Sequence, residues 1–153
     1  NTVEEIGVEK YAKFCVDNDM RDIIFVGLEN EEIKNELIKR GLKVSCYIQS
    51  MMLPEEIESA KASNGFVYMQ AKAAPEKINP AFPTLADCIR HLREQGIDRT
   101  IYCGVGVSSP EDFKMVKQAK GDGAFVGSTI LKLYDNPEKM VETIKAFKAA
   151  DKD

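Results

Sequence analysis

The sequence predicts an α/β fold of parallel strands, the carboxy-terminal portion of a (β/α)8 TIM barrel. Three observations lead there. Helix-like and strand-like segments alternate along the chain with short breaks between them. The strand-like segments are apolar without alternation, the pattern of parallel strands covered on both faces. Two glycine turns, Gly104-Val105-Gly106 and Gly127-Ser128, leave consecutive strands, and the second opens a short helix, as at the end of many such barrels.

The elements follow in order. Val8 to Asp17 carries Val8, Tyr11, Ala12 and Cys15 at helical spacing. Ile23 to Leu28 is a continuous run of strand length. Glu31 to Arg40 is a helix with Ile33, Leu37 and Ile38 on its buried face, Asn30 as its cap and Gly41 as its stop. Leu42 to Ile48 is the second strand. Pro54 opens a helix that runs to about Ala60, and Gly65 to Met69 is the third strand. The stretch from Ala71 to Pro83, broken by Pro75, Pro80 and Pro83, is irregular. Thr84 with Asp87 forms a capping box for a helix ending near Gln95-Gly96. Thr100 to Cys103 is the fourth strand. Ser109-Pro110-Glu111-Asp112 starts a helix that runs to about Lys120. Gly123 to Val126 is the fifth strand. Gly127-Ser128 opens a short helix and Asn136-Pro137 the last one. One helix and five βα units therefore make up a single domain over residues 1–153.

Composition narrows the function classes. Hydrophobic residues are 44% and charged residues 30% of the chain, with a net charge of −4, ordinary for a soluble globular domain. Lys and Arg are spread out, so no nucleic-acid footprint is legible. No apolar run reaches the ~20 residues of a membrane helix, and no secretory signal is present. Cys15, Cys46, Cys88 and Cys103 have no metal-like spacing and read as buried free thiols, which points to a reducing, cytoplasmic setting. His91 lies in a charged helix pattern and reads as a surface residue. No metal or cofactor is expected. The chain begins at Asn1 without Met, so a true amino terminus is expected upstream.

The glycine turns carry the functional reading. A phosphate dianion needs backbone N–H groups around a space that no side chain fills. Glycine permits that approach, and a helix N-terminus adds free N–H groups and a favourable dipole. The two turns lie about 21 residues apart on successive strands. Ser128 is expected to cap the short helix and to offer its hydroxyl to a phosphate oxygen. Tight βα turns with no ligand are the competing reading of the same glycines.

These residues also resemble a known family. Gly104-Val105-Gly106-Val107-Ser108-Ser109-Pro110-Glu111 resembles the G-(F/V)-G-(I/V)-S-(S/T)-P-E stretch of the tryptophan synthase α subunit family. Gly123-Ala124-Phe125-Val126-Gly127-Ser128-Thr129-Ile130 with Lys132 resembles its G-A-x-x-G-S-A-I-(V/L)-K. Asn1 to Tyr11 is similar to its N-P-(V/I)-x-x-Y-G-(V/I)-E-x-F, and Gly65-Phe66-Val67-Tyr68 to its G-(F/Y)-x-Y. The resemblance covers the whole chain in one register and equates the five strands with barrel strands 4 to 8. It implies a lyase that splits indole-3-glycerol phosphate into indole and glyceraldehyde 3-phosphate, with no cofactor. It also implies phosphate-site positions at Gly104, Gly106, Gly127 and Ser128, and a substrate-side tyrosine at Tyr68. Tyr68 as a strand-core residue is the plainer alternative. The family's two catalytic acids belong to strand 2 and the turn after it, outside this sequence.

Two loops depart from the family. The lid after its strand 6 reads S-R-x-G-x-T-G, whereas Ala71 to Lys77 has lost every glycine and the threonine. Lys72 and Lys77 read there as solvated loop charge. The D-x-P after its strand 4 is replaced by Gly27-Leu28-Glu29, which weakens the expectation of a β-subunit partner. A small phosphorylated substrate remains the expected partner. Two other readings stay open: a sugar-phosphate isomerase or epimerase, and a non-catalytic phosphometabolite-binding barrel. Five strands cannot close an eight-stranded barrel, so a longer chain is expected, with a homodimer as the alternative.

Overall fold

The computed structural model describes residues 2–25 and 30–150 of the chain. Its centre is a five-stranded sheet in the order β1-β2-β3-β4-β5, every neighbouring pair parallel. The strands are β1 (Asp22–Ile24), β2 (Lys43–Ile48), β3 (Val67–Gln70), β4 (Ile101–Gly104) and β5 (Gly123–Ala124). The helices are α1 (Thr2–Ile6), α2 (Val8–Asp17), α3 (Glu31–Lys39), α4 (Pro54–Ala62), α5 (Leu85–Glu94), α6 (Pro110–Gln118), α7 (Ser128–Leu131) and α8 (Pro137–Ala150). This is the half-barrel of βα units that the pattern predicts.

Short-range chemistry sets most boundaries. The Asn30 side chain accepts from the Ile33 N–H at 3.0 Å and starts α3. Thr84 with Asp87 and Ser109 with Asp112 both form complete capping boxes. Pro54 opens α4, where its missing N–H costs nothing. The Asn64 amide replaces a strand neighbour, accepting from Val44 N–H at 2.9 Å and donating to Leu42 O at 3.0 Å.

Three elements differ from the sequence reading. Thr2–Ile6 is an additional helix, ended by Gly7 at φ +88°. β1 covers Asp22–Ile24, while the latter part of the Ile23–Leu28 run, including Gly27-Leu28-Glu29, lies outside the described residues. β5 is two residues long, because pairing to β4 stops at Ala124.

The helix side of the sheet holds the main core. Cys46, Ile48, Val67, Met69, Ile101 and Cys103 are buried there with Ile57, Ile89, Leu92 and Val116 from the helices. A second cluster joins Ala12, Cys15, Leu37, Leu42 and Val44. All four cysteines are free and buried. Burial, with a smaller push from Asp122, raises the Cys103 thiol to about 12. His91 is half-buried, its ring 4.4 Å from that of Phe82.

The buried face of α3 includes a residue that periodicity does not select. Lys34 is 1% exposed, whereas Ile33 and Ile38 are only partly buried. Its ammonium donates to Ser59 Oγ at 2.8 Å and Ser59 O at 3.1 Å, and pairs with Glu31 at 2.5 Å. All three donors of the cation find acceptors, the condition under which a lysine tolerates burial.

The concave side of the sheet is aromatic. Tyr47, Tyr68 and Tyr102 occupy paired register positions, with Gly123 next in the row. Tyr47 and Tyr68 rings lie 5.4 Å apart, and Phe125 packs on Phe66, Tyr68 and Tyr102 at 5.2–5.7 Å. These side chains are half-buried, and Ile24 and Phe125 remain 51% and 37% exposed. Cover on both faces is thus complete on the helix side and partial on the concave side.

Candidate functional site

Ligands of parallel α/β folds bind at the carboxyl ends of the strands, where loops rather than ladders supply the polar groups. Here the ends of β3 and β4 are tied together. Ala71 N–H donates to Gly104 O at 2.7 Å, and Lys72 N–H to Val105 O at 3.2 Å. The turn Gly104-Val105-Gly106 is therefore held against the start of the 71–83 loop.

The two glycines of that turn are required for different reasons. A Cβ on Gly104 would lie 2.2 Å from Tyr68 Cε2 and 2.4 Å from its hydroxyl. Tyr68 thus crosses the end of β4, which a side chain at 104 would prevent. Gly106 has φ +96°, and a Cβ there would meet Lys72 Cβ at 2.6 Å. Between them Val105 adopts φ +59°, rare for a β-branched residue, and its side chain is 48% exposed. Such strain collects where surrounding structure over-determines a turn.

Gly127 occupies the N-cap of α7, and a Cβ there would meet nothing within 4 Å. Its carbonyl accepts from Ile130 and Leu131, each at 3.0 Å. Ser128 is the first helical residue, so it does not cap the helix as expected; Gly127 takes that position and the hydroxyl makes no cap bond. Among the described residues, the N–H groups of Gly106, Gly127 and Ser128 donate to no backbone carbonyl of a turn, loop or cap. The structure brings Gly104, Gly106, Tyr68 and Lys72 into one cluster and leaves open space around Gly127.

Lys72 is not merely solvated loop charge. Its stem lies on Gly106 and its ammonium pairs with Asp112. Asp112 also accepts from Ser108 N–H at 2.9 Å, Ser108 Oγ at 2.9 Å and Ser109 N–H at 3.1 Å. The Lys72 hydrogen bond, helped by those from Ser108, holds the Asp112 carboxyl well below the usual carboxylate range. Lys77 is exposed in a 3-10 turn, Pro75–Lys77. Asn79 pins the same loop further on, with its N–H on Ser50 O at 3.1 Å and its amide on Met51 O at 2.9 Å. The loop is fastened at both ends, where a closing lid needs a hinge.

A second feature was invisible in the sequence. Glu56 is 4% exposed, and its carboxylate accepts the Gln49 N–H at 2.9 Å and the Gln49 side-chain amide at 2.7 Å. One position beyond the end of the β2–β3 pairing, Gln70 accepts the Ser50 N–H at 2.9 Å. Burial, then Tyr68 and then Glu56, raise the Tyr47 phenol, so it stays a hydrogen-bond donor. Two acids near this end are committed elsewhere: Glu56 to Gln49, and Asp112 to Lys72 and the α6 cap. Neither forms an acid pair for proton transfer.

A cavity of about 590 Å³ lies under the 71–83 loop, lined by Gln70, Lys72, Phe82, Leu85, Cys88 and Met115 among others. None of the four phosphate-site candidates lines it. Its polar lining residues are Ser50, Gln70, Lys72, Thr84 and Gln118, and its one cation, Lys72, is already paired with Asp112, so the glycine turns remain the better phosphate candidate.

Comparisons with known proteins establish the family and the fold. A family model described as tryptophan synthase alpha chain matches residues 1–152. The chain belongs to the tryptophan synthase alpha chain family. A tryptophan synthase alpha chain of Thermosynechococcus vestitus is 24% identical over 151 residues, covering 96% of this chain and 57% of that relative. One from Arabidopsis thaliana is also 24% identical, with 96% and 56% covered. The chain thus spans a little over half the length of these alpha-chain relatives. Solved structures share the fold. A protein from Aquifex aeolicus superposes with a TM-score of 0.80 at 22% identity, covering 98% of this chain and 58% of that one. The tryptophan synthase subunit alpha of Campylobacter jejuni gives 0.74 at 21% identity, with 95% and 60% covered. Among the described residues, no helix is long and apolar enough to cross a membrane.

Proposed function

We propose that this chain is the phosphate-holding, carboxy-terminal part of an alpha-type tryptophan synthase barrel. It forms a single domain that serves tryptophan biosynthesis by taking part in the cleavage of indole-3-glycerol phosphate to indole and glyceraldehyde 3-phosphate. The observation that carries the reading is the pair of glycine turns at the ends of β4 and β5. In this proposal the N–H groups of Gly106, Gly127 and Ser128 hold the phosphate, with the Ser128 hydroxyl beside them. Gly104 makes room for Tyr68, which lies against the rest of the substrate. Backbone donors suit this task because they hold a dianion with no side-chain reorganisation and at any pH.

The reaction requires a general acid and a second carboxylate. We assign both to the part of the barrel that this sequence does not include, since Glu56 and Asp112 are committed elsewhere. Family membership favours this reading over an isomerase or a binding protein. A tryptophan synthase β subunit is the partner that the reading brings with it, and the setting is cytoplasmic. A solved assembly from Pyrococcus furiosus is described as a tryptophan synthase complex.

The test is a titration of the 153-residue chain with indole-3-glycerol phosphate and with glyceraldehyde 3-phosphate, monitoring heat and indole release together. The expected result is binding of both without indole release, and loss of both in Gly127→Asp. Absence of binding, or full binding by Gly127→Asp, contradicts the proposal.

A further inference from the structure

The 590 Å³ cavity under the 71–83 loop has no part in the phosphate reading. Its walls come from the ends of β2 and β3, from the loop, and from α5 and α6. None of its lining residues lies on β1 or β5, so it belongs to the middle of the sheet and not to its open edges. Lys72 divides it from the glycine turn, lining the cavity while its stem lies on Gly106. The volume falls within the roughly 300–1,000 Å³ usual for small-molecule sites. Short side chains at Ala71, Ala73, Ala86 and Ala119 leave the space open, and Phe82, Leu85 and Met115 make its surface mostly apolar.

Most polar groups on these walls are already used. The Lys72 ammonium pairs with Asp112. The Thr84 hydroxyl donates to Asp87 at 2.5 Å, and Cys88 Sγ donates to Phe82 O at 3.6 Å. Gln118 is exposed to solvent. Two groups remain. Ser50 is 7% exposed, and its hydroxyl has no hydrogen-bond partner among the described residues. Gln70 accepts the Ser50 N–H at 2.9 Å. A backbone N–H only donates, so the accepting atom is Gln70 Oε1 and the –NH2 is left over. That bond puts the hydroxyl and the amide on one wall of the same cavity. The Asn79 N–H on Ser50 O, at 3.1 Å, holds Ser50 from the other side. A nine-tenths-buried hydroxyl without a partner carries a free-energy cost that a bound acceptor removes.

We propose that this cavity binds a small, uncharged, mostly apolar molecule through a single carbonyl-type oxygen. The oxygen accepts from the Ser50 hydroxyl and the Gln70 amide together. The ring or chain attached to it fills the space beside Phe82, Leu85 and Met115. A neutral ligand is selected because the one cation on the walls is already paired, so an anion would be desolvated without a partner. The site is separate from the glycine turns, and either can fail without the other.

The experiment compares three molecules of one shape: acetophenone with its carbonyl, α-methylstyrene with a methylene in its place, and benzoate with a carboxylate. Each is titrated into the chain by two-dimensional NMR, which records the Gln70 –NH2 directly. Acetophenone is expected to shift that –NH2 and the backbone amides of Ala73, Cys88 and Met115 along one saturation curve. It should bind about ten-fold or more tightly than benzoate. Ser50→Ala keeps the backbone bond to Gln70. It should weaken acetophenone about five-fold, the effect of one uncharged hydrogen bond, and change α-methylstyrene by less than about two-fold. Ala73→Leu fills the space from a half-buried loop position and should abolish binding of both. The proposal is overturned by absence of saturable acetophenone shifts at these residues, or by benzoate binding as tightly as acetophenone. Both results come from the wild type, so they decide the matter even if a variant does not fold. Equal effects of Ser50→Ala on the two neutral ligands also overturn it, as does unchanged binding in Ala73→Leu.

Discussion

Gly106→Ala is the sharpest test of the turn that ends β4. Two effects act at that position. The residue holds φ +96°, where an L-alanine pays roughly 1–2 kcal/mol of backbone strain. Its new methyl would also sit 2.6 Å from Lys72 Cβ, well inside contact distance, with Lys72 Cγ at 3.2 Å and Cδ at 3.3 Å. The Lys72 stem cannot simply rotate away at Cβ, since the Lys72 N–H is fixed on Val105 O. Overpacking of this kind costs about 1–3 kcal/mol. The expected total is about 2–5 kcal/mol, read as a lower urea midpoint at constant slope. Lys72→Gly separates the two parts. In that background the clash is gone and Gly106→Ala should cost only the strain, about 1–2 kcal/mol. A loss below about 0.5 kcal/mol in the single variant refutes the turn geometry. Equal losses in both backgrounds refute the contact with Lys72.

Other expectations follow from the same structure. Asp112 has a depressed folded-state pKa, so its stabilisation is full above the unfolded value of about 4 and is lost as pH falls through the folded value. Lys72→Met removes the main cause, so the thermal midpoint between pH 5 and 2 should fall less steeply than in the wild type; an identical slope contradicts the pair. Lys34→Met leaves Ser59 O and part of Glu31 without their donor, for an expected loss of about 1–3 kcal/mol in urea unfolding. Unchanged stability would remove the buried ammonium from the account. Burial holds the Cys88 thiol at about 11 and Cys103 at about 12. A thiol reagent at pH 8 should therefore leave the four buried cysteines unmodified in the native chain and label all four in denaturant. Rapid native labelling of Cys103 contradicts its placement behind β4.

What was legible in the sequence is what local chemistry decides. Asn30, Thr84 and Ser109 announce helices because a cap and its N–H lie within three residues of each other. Gly104 and Gly106 announce a turn because only glycine fits there. The order of five parallel strands follows from apolar runs separated by helices too long for hairpins. The remainder depends on partners far apart in sequence. Lys34 reaches Ser59 across 25 residues, and Lys72 reaches Asp112 across 40. No periodicity marks either lysine: Lys34 is not among the apolar positions of its helix, and Lys72 reads as loop charge. Glu56 looks like one more helix acid beside Glu55. Its role appears only when α4 folds back on the end of β2 and presents it to Gln49. The Ser128 expectation missed by one residue, because cap and first helical position are not distinguished by a Gly-Ser pair.

The family resemblance extends this reading at the point where local chemistry stops. It identifies which strand ends these are, and the parallel half-barrel with its glycine turns fits that assignment. The fastened 71–83 loop is where the chain departs most from the resemblance, since Lys72 and Asn79 tie down a segment that has lost the glycines of the stretch it would resemble.

The central claim is that a phosphate group sits at the ends of β4 and β5. The direct measurement is a two-dimensional amide NMR titration of the chain with glycerol 3-phosphate. The account predicts that the amides of Gly106, Gly127 and Ser128 move furthest and saturate together. Shifts confined to the residues around the 590 Å³ cavity, such as Leu85, Cys88 and Met115, would contradict it.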